Sequence, residues 1–160
     1  WARASDIDII LDTHHEPLRQ AMSAGVFLVK PNLRELRQLT QQKLAGEDEQ
    51  RQALRRLVDD GAARYIVLSL GAGGAIFASA AGARHVRAPS VTIRSKVGAG
   101  DSMVGSLVWA LTEGYTPLEA TRFGVAAGAA AVQTAGSELC YAEDVHALYE
   151  TIRAADSTSS

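Results

Sequence analysis

The chain has 160 residues, 47% of them hydrophobic, with a formal net charge of −2; that is enough chain for one domain with a real core, and the charge gives no reason to expect nucleic acid or an anionic membrane as a partner. Its longest weakly polar run, Phe123 to Val132, falls far short of the roughly 20 residues of a membrane span. Cys140 is the lone cysteine, which excludes an internal disulfide and a Cys-rich metal site; no basic-then-apolar leader is visible, and a cytoplasmic protein is expected.

In chain order, Asp6 to Leu11 turns apolar as a short buried strand does. Glu16 to Ala24 reads as a helix closed by Gly25, and Val26 to Lys30 as a second strand. Asn32 to Leu44 follows as a helix with Leu33, Leu36 and Leu39 on one face. Glu47 to Asp60 is a charged amphipathic helix that turns Ala53, Leu54 and Leu57 inward and stops at Gly61. Tyr65 to Leu70 is the clearest strand; Gly71-Ala72-Gly73-Gly74 is a turn, and Ala75 to Ala78 begins a return strand. His85 to Ala88 and Val91 to Arg94 are two further short strands. Helices are expected over Ser102 to Glu113, over Pro117 to Val132 with Pro117 in the permitted first turn, and over Ala142 to Arg153. Residues 154–160 read as a flexible polar tail. Strands alternating with helices over the first half predict an α/β domain built on a mostly parallel sheet. No repeat or low-complexity linker interrupts the chain, so one domain is expected.

Four segments carry residues suited to chemistry. Gly98-Ala99-Gly100-Asp101 joins a strand to a helix. Glycines let a backbone approach a ligand, and a helix start offers free N–H groups and the positive end of its dipole to an anion. A carboxylate there suits a general base for an attacking hydroxyl, and Asp is also a good N-cap. Lys30-Pro31-Asn32-Leu33-Arg34-Glu35 places Asn32 and Glu35 at capping-box spacing; the alternative puts both near Mg²⁺ and phosphates, with Glu35 acting through ordered water. Ser69-Leu70-Gly71-Ala72-Gly73-Gly74 is either a glycine-rich hairpin or a backbone lining for a nucleotide. It lacks the ending of a P-loop and the spacing of a dinucleotide fingerprint. Phe123 to Ala131 is rich in Ala and Gly, which suits close helix packing and also a flat ring laid against it. The first three follow strands and are expected to line one cleft, because ligands in open α/β sheets bind beyond the carboxyl ends of strands.

The order Lys30-Pro31-Asn32-x-x-Glu35, Ser69-Leu70-Gly71, Gly98-Ala99-Gly100-Asp101, then Gly124-Val125-Ala126-Ala127-Gly128 resembles the PfkB-type, ribokinase-like family of carbohydrate kinases. The resemblance runs from about Asp6 to Arg153. It implies a three-layer α/β sheet with a small β lid. It implies Asp101 as catalytic base, with the backbone N–H groups around Gly98, Ala99 and Gly100 holding the transferring phosphoryl group. Lys30, Asn32, Ser69, Leu70, Gly71, Ala72, Gly73 and Gly74 would line the ATP site, with Val125 and Ala129 beside the nucleotide and Glu35 serving Mg²⁺. Ser95, Val97, Ala131 and Gly136 match positions around a monovalent cation, K⁺ in many members. The sequence departs there: Thr134 stands where a close relative carries Asn, Glu138 where it carries Arg, and Lys96 replaces the usual Thr. The implied partners are ATP and a sugar phosphate, fructose 6-phosphate first, with fructose 1-phosphate or a tagatose phosphate next. A homodimer is implied for the intact protein.

Members of the family are about twice this length, and their first half carries the lid, the sugar-site glycines and the arginines for the substrate phosphate. The chain is therefore expected to be the C-terminal, nucleotide-binding half of a longer kinase, with an apolar edge left uncovered. A nucleotide-binding module without turnover is the other reading.

Overall fold

Strands and helices alternate as the sequence leads one to expect, in a computed structural model that describes residues 7–135 and 140–157. The described elements are β1 (Ile10–Leu11), α1 (His15–Ala24), β2 (Val26–Val29), α2 (Leu33–Thr40), α3 (Glu47–Asp59), β3 (Ala63–Ser69), a 3₁₀ turn (Gly71–Gly73), β4 (Ala75–Ser79), β5 (Gly82–Val86), α4 (Ala99–Thr112), α5 (Pro117–Ala131) and α6 (Ala142–Ser157). The chain divides into two compact units. The first runs to Leu70 and takes in Ile76–His85; the second holds Gly71–Ala75 and everything from Val86.

The first unit is built on a mixed sheet whose spatial order, β1-β2-β3-β4-β5, is the order of the chain. β1, β2 and β3 are parallel, with Ile10 beside Leu28, Leu11 beside Val29, and Leu28 beside Tyr65. Parallel neighbours need a crossover, which α1 supplies for the first pair and α2 with α3 for the second. The helices bury apolar residues at helical spacing: Leu18 and Met22 from α1, Leu36 from α2, Ala53 and Leu54 from α3. These close on Val29, Ile66, Leu68, Ile76 and Ala78 to form the core. Phe27, Tyr65 and Phe77 add a row of rings across β2, β3 and β4, with centroids 5.2 and 5.8 Å apart.

In the second unit, α5 packs against both α4 and α6. Thr116 caps α5 and Pro117 opens it, so the first-turn proline costs no hydrogen bond. α5 is buried along most of its length. It can come that close to α4 because a Cβ on Gly124 would sit 2.9 Å from the Met103 carbonyl oxygen, and one on Gly128 would sit 3.3 Å from that of Ala99.

Several segments differ from expectation. The helix begun at Leu33 ends at Thr40, because Gln41 turns left-handed with φ of 56° and Leu44 drops into the core; Arg37 and Gln50 both donate to the Leu44 carbonyl. Residues 91–94 form no strand, since the Arg94 N–H is spent on the Val132 carbonyl at 2.7 Å, at the end of α5. β5 begins at Gly82, three residues before the expected strand. The expected tail is helical through Ser157, held by Asp156, which accepts from Arg122 Nε at 2.7 Å; residues 158–160 lie outside the described ones.

Candidate functional site

The candidate residues of the first unit gather at the carboxyl ends of its parallel strands. The Ser69 N–H donates to the Pro31 carbonyl at 2.9 Å, and Asn32 bridges Ser69 just beyond β2 and β3. That bridge brings the segment around Asn32 together with the start of the glycine loop. Asn32 also caps α2: its Oδ1 accepts from the Glu35 N–H at 2.9 Å, while Glu35 Oε2 accepts from the Asn32 N–H at 2.8 Å. The capping box is therefore formed, and it fixes Glu35 with Oε2 occupied. A carboxylate has a second oxygen and further lone pairs, so this geometry still fits Mg²⁺ held through water.

Lys30 follows β2 and is only 8% exposed. Its Nζ lies 3.3 Å from Oδ2 of Asp12, the residue just past β1. Asp12 was not among the candidates read from the sequence. The signal was present, since it directly follows an apolar run read as a strand, the same rule that singled out the other loops.

Leu70 leads into the second unit, where Gly71, Ala72 and Gly73 form an exposed 3₁₀ turn closed by the Gly74 N–H donating to the Gly71 carbonyl at 3.0 Å. Gly74 itself is buried, and a Cβ there would lie 2.1 Å from the Val86 oxygen. The turn is thus exposed to solvent while its last glycine is fixed by packing.

α4 starts three residues earlier than expected. Gly98, left-handed at φ of 79°, is its N-cap, and Asp101 stands in the first turn. The first intrahelical bond runs from the Ser102 N–H to the Gly98 carbonyl at 2.8 Å. The N–H groups of Ala99, Gly100 and Asp101 therefore have no partner within the helix and face its open end, where the dipole favours negative charge. Asp101 is exposed, and among the described residues no hydrogen bond or ion pair engages its carboxylate. It is not a cap, so the capping account of this aspartate fails.

Val125 and Ala129 are buried on α5, with 4% and 8% exposure. Ser95 lies against the end of the same helix, its N–H donating to the Val132 carbonyl at 3.2 Å and its Oγ accepting from the Val97 N–H at 3.2 Å. Ala131 is close by, but its carbonyl already accepts from the Thr134 N–H at 3.3 Å and from Thr134 Oγ1 at 2.8 Å. Val97 is 66% exposed. Gly136, the fourth expected contributor, lies outside the described residues.

The pfkB family carbohydrate kinase pattern matches residues 1–144. The chain belongs to the pfkB family of carbohydrate kinases. It is 40% identical over 149 residues to the ATP-dependent 6-phosphofructokinase isozyme 2 of Escherichia coli, a match covering 92% of this chain and 48% of that protein. It is 34% identical over 157 residues to the 1-phosphofructokinase of Borreliella burgdorferi, covering 96% of this chain and 49% of that one. The crystal structure of Escherichia coli phosphofructokinase-2 in complex with potassium superposes with a TM-score of 0.90 at 38% identity, over 95% of this chain and 50% of that one. Arabidopsis thaliana ribokinase, at 22% identity and a TM-score of 0.78 over 92% of this chain and 49% of that one, shares the fold. The chain spans about half the length of these relatives.

Proposed function

We propose that this chain supplies the nucleotide-binding and phosphoryl-transfer half of an ATP-dependent kinase that phosphorylates a hydroxyl of a sugar phosphate, fructose 6-phosphate first. The observation that carries this is the start of α4, where three N–H groups without helical partners stand beside an exposed, unengaged Asp101 carboxylate. In the reaction, the sugar oxygen forms a bond to the γ-phosphorus while the bond from that phosphorus to the β,γ-bridging oxygen breaks. ADP leaves with that electron pair, and the hydroxyl proton passes to Asp101. The N–H groups of Ala99, Gly100 and Asp101 hold the transferring group, whose charge they meet without reorganising. Lys30, Asn32 and the backbone of Ser69 to Gly74 hold the nucleotide. Glu35 would hold Mg²⁺ through water, and the ion would supply neutralisation of charge on the phosphates.

Fructose 1-phosphate is the second acceptor considered, supported by the likeness to 1-phosphofructokinases. Comparing kcat/KM on the two sugar phosphates decides between them. A homodimer and a cytoplasmic setting complete the proposal for the intact protein. A tetrameric inhibited form has been described for the Escherichia coli phosphofructokinase-2, so oligomeric state is to be measured with and without ATP.

Asp101→Asn in the full-length protein tests the mechanism. Loss of the base is expected to lower kcat by about 10²–10⁴-fold while ATP affinity changes little. Because Asp101 stands in the first turn, losing its charge should also cost about 0.3–1 kcal/mol of stability. A variant that keeps most of its turnover removes Asp101 from the role of base.

A further inference from the structure

We propose that Asp12 is a further residue of the nucleotide site, acting as the positioning residue of Lys30; this rests on the reading of Lys30 as a phosphate ligand. The register leaves little freedom. Leu11 pairs with Val29, and the Lys30 N–H donates to the Leu11 carbonyl at 3.0 Å, so residues 12 and 30 leave the same edge of two adjacent parallel strands. Asn32 and Ser69 bridge one another at that edge, one strand further on.

A lysine ammonium is compact, strongly hydrated and carried on a flexible stem. Holding it where the side chain is only 10% exposed requires a counter-charge. Among the described residues, Asp12 is the one carboxylate paired with Lys30, at 3.3 Å. The pair is lopsided in exposure: Asp12 keeps 35% of its side chain open, so water or a ligand reaches the pair from that side. An ammonium has three donors, and a single carboxylate oxygen at this distance leaves the others for phosphate oxygens. Asp12 thus orders the stem before the nucleotide arrives, and preordering of this kind raises affinity by removing a cost of binding. The opposing effect, repulsion between Asp12 and a phosphate, is weaker because the ammonium stands between them in the arrangement proposed.

The test is a double-mutant cycle in the full-length protein, with Asp12→Asn, Lys30→Met and the pair combined, each titrated calorimetrically with Mg·ATP and with adenosine. Asp12→Asn is expected to weaken ATP by about tenfold and to leave adenosine unchanged; with Lys30→Met in place, the same change should have no effect. Asp12→Ser serves in the same cycle if Asp12→Asn fails to fold. The inference is overturned if ATP binding is unchanged or tighter without Asp12, if adenosine is lost in equal measure, or if the loss persists beside Lys30→Met. A wild-type protein that binds no ATP overturns the proposed function as well; wild-type binding that Lys30→Met weakens and Asp12→Asn does not overturns this inference alone.

Discussion

A Cβ added to Gly74 would meet the Val86 oxygen at 2.1 Å and the Ala88 nitrogen at 2.6 Å, both backbone atoms, and φ there is +88°. Neither neighbour is a flexible side-chain end, so Gly74→Ala carries steric and dihedral strain together. The expected loss is about 2 kcal/mol or more, read as a clear fall in the midpoint of thermal unfolding. Gly71 separates the two effects. Its φ of +58° is left-handed, yet nothing lies within 4 Å of a Cβ there, so Gly71→Ala should cost only the dihedral part, about 1 kcal/mol. If the two variants melt alike, the close approach at Gly74 is not what fixes the end of this loop.

Two elements are held by contacts that a single substitution can probe. α5 lies against α4 through Gly124, where a Cβ would stand 2.9 Å from the Met103 carbonyl and 3.3 Å from Leu107 Cβ. Alanine is the better helix former by about 1 kcal/mol, but here it must push a backbone carbonyl aside, and overpacking costs about 1–3 kcal/mol. Gly124→Ala is therefore expected to destabilise despite its propensity gain, as chemical denaturation would show. α3 is tied to β5 by charge. Glu47 accepts from Arg51 Nε at 2.9 Å and lies 2.9 Å from His85 Nδ1, while Arg51 donates to the Ala83 carbonyl at 2.8 Å. The hydrogen bond from Arg51, then that with His85, holds the Glu47 carboxyl below its ordinary range. A lowered carboxylate stabilises the fold above its unfolded pKa, and the contribution disappears as pH falls through the folded value. The gap in stability between wild type and Glu47→Gln should thus be full above the ordinary glutamate range and shrink as pH falls below it. It should stay under about 1 kcal/mol, because the side chain is 36% exposed. A gap that does not shrink on acidification would show that charge is not what ties α3 down.

At the scale of the molecule, much of the architecture was legible because it depends on periodicity and punctuation. Leu18 and Met22, or Ala53 and Leu54, mark buried helix faces, and Gly25 and Pro117 mark ends. What escaped was fixed by partners far along the chain. Residues 91–94 look like a strand, yet the Arg94 N–H goes to the Val132 carbonyl. Leu44 continues a helical pattern until the core takes it out of line. The end of α6 reads as polar tail because Asp156 finds Arg122 only in three dimensions. The candidate site behaved likewise. Motif spacing singled out Gly98 to Asp101 and Asn32 with Glu35, whereas the pairing of Asp12 with Lys30 became visible only when the register set the two side by side.

The sheet's spatial order also bears on how the protein is made. Since β1 to β5 lie side by side in the order in which they are written, a chain leaving the ribosome can add each strand to the edge just completed. No described strand waits for a partner synthesised later to be inserted between it and its neighbour. Domains tend to form during synthesis from the N-terminal side, so the sheet with α1–α3 can be in place while α4–α6 are still emerging.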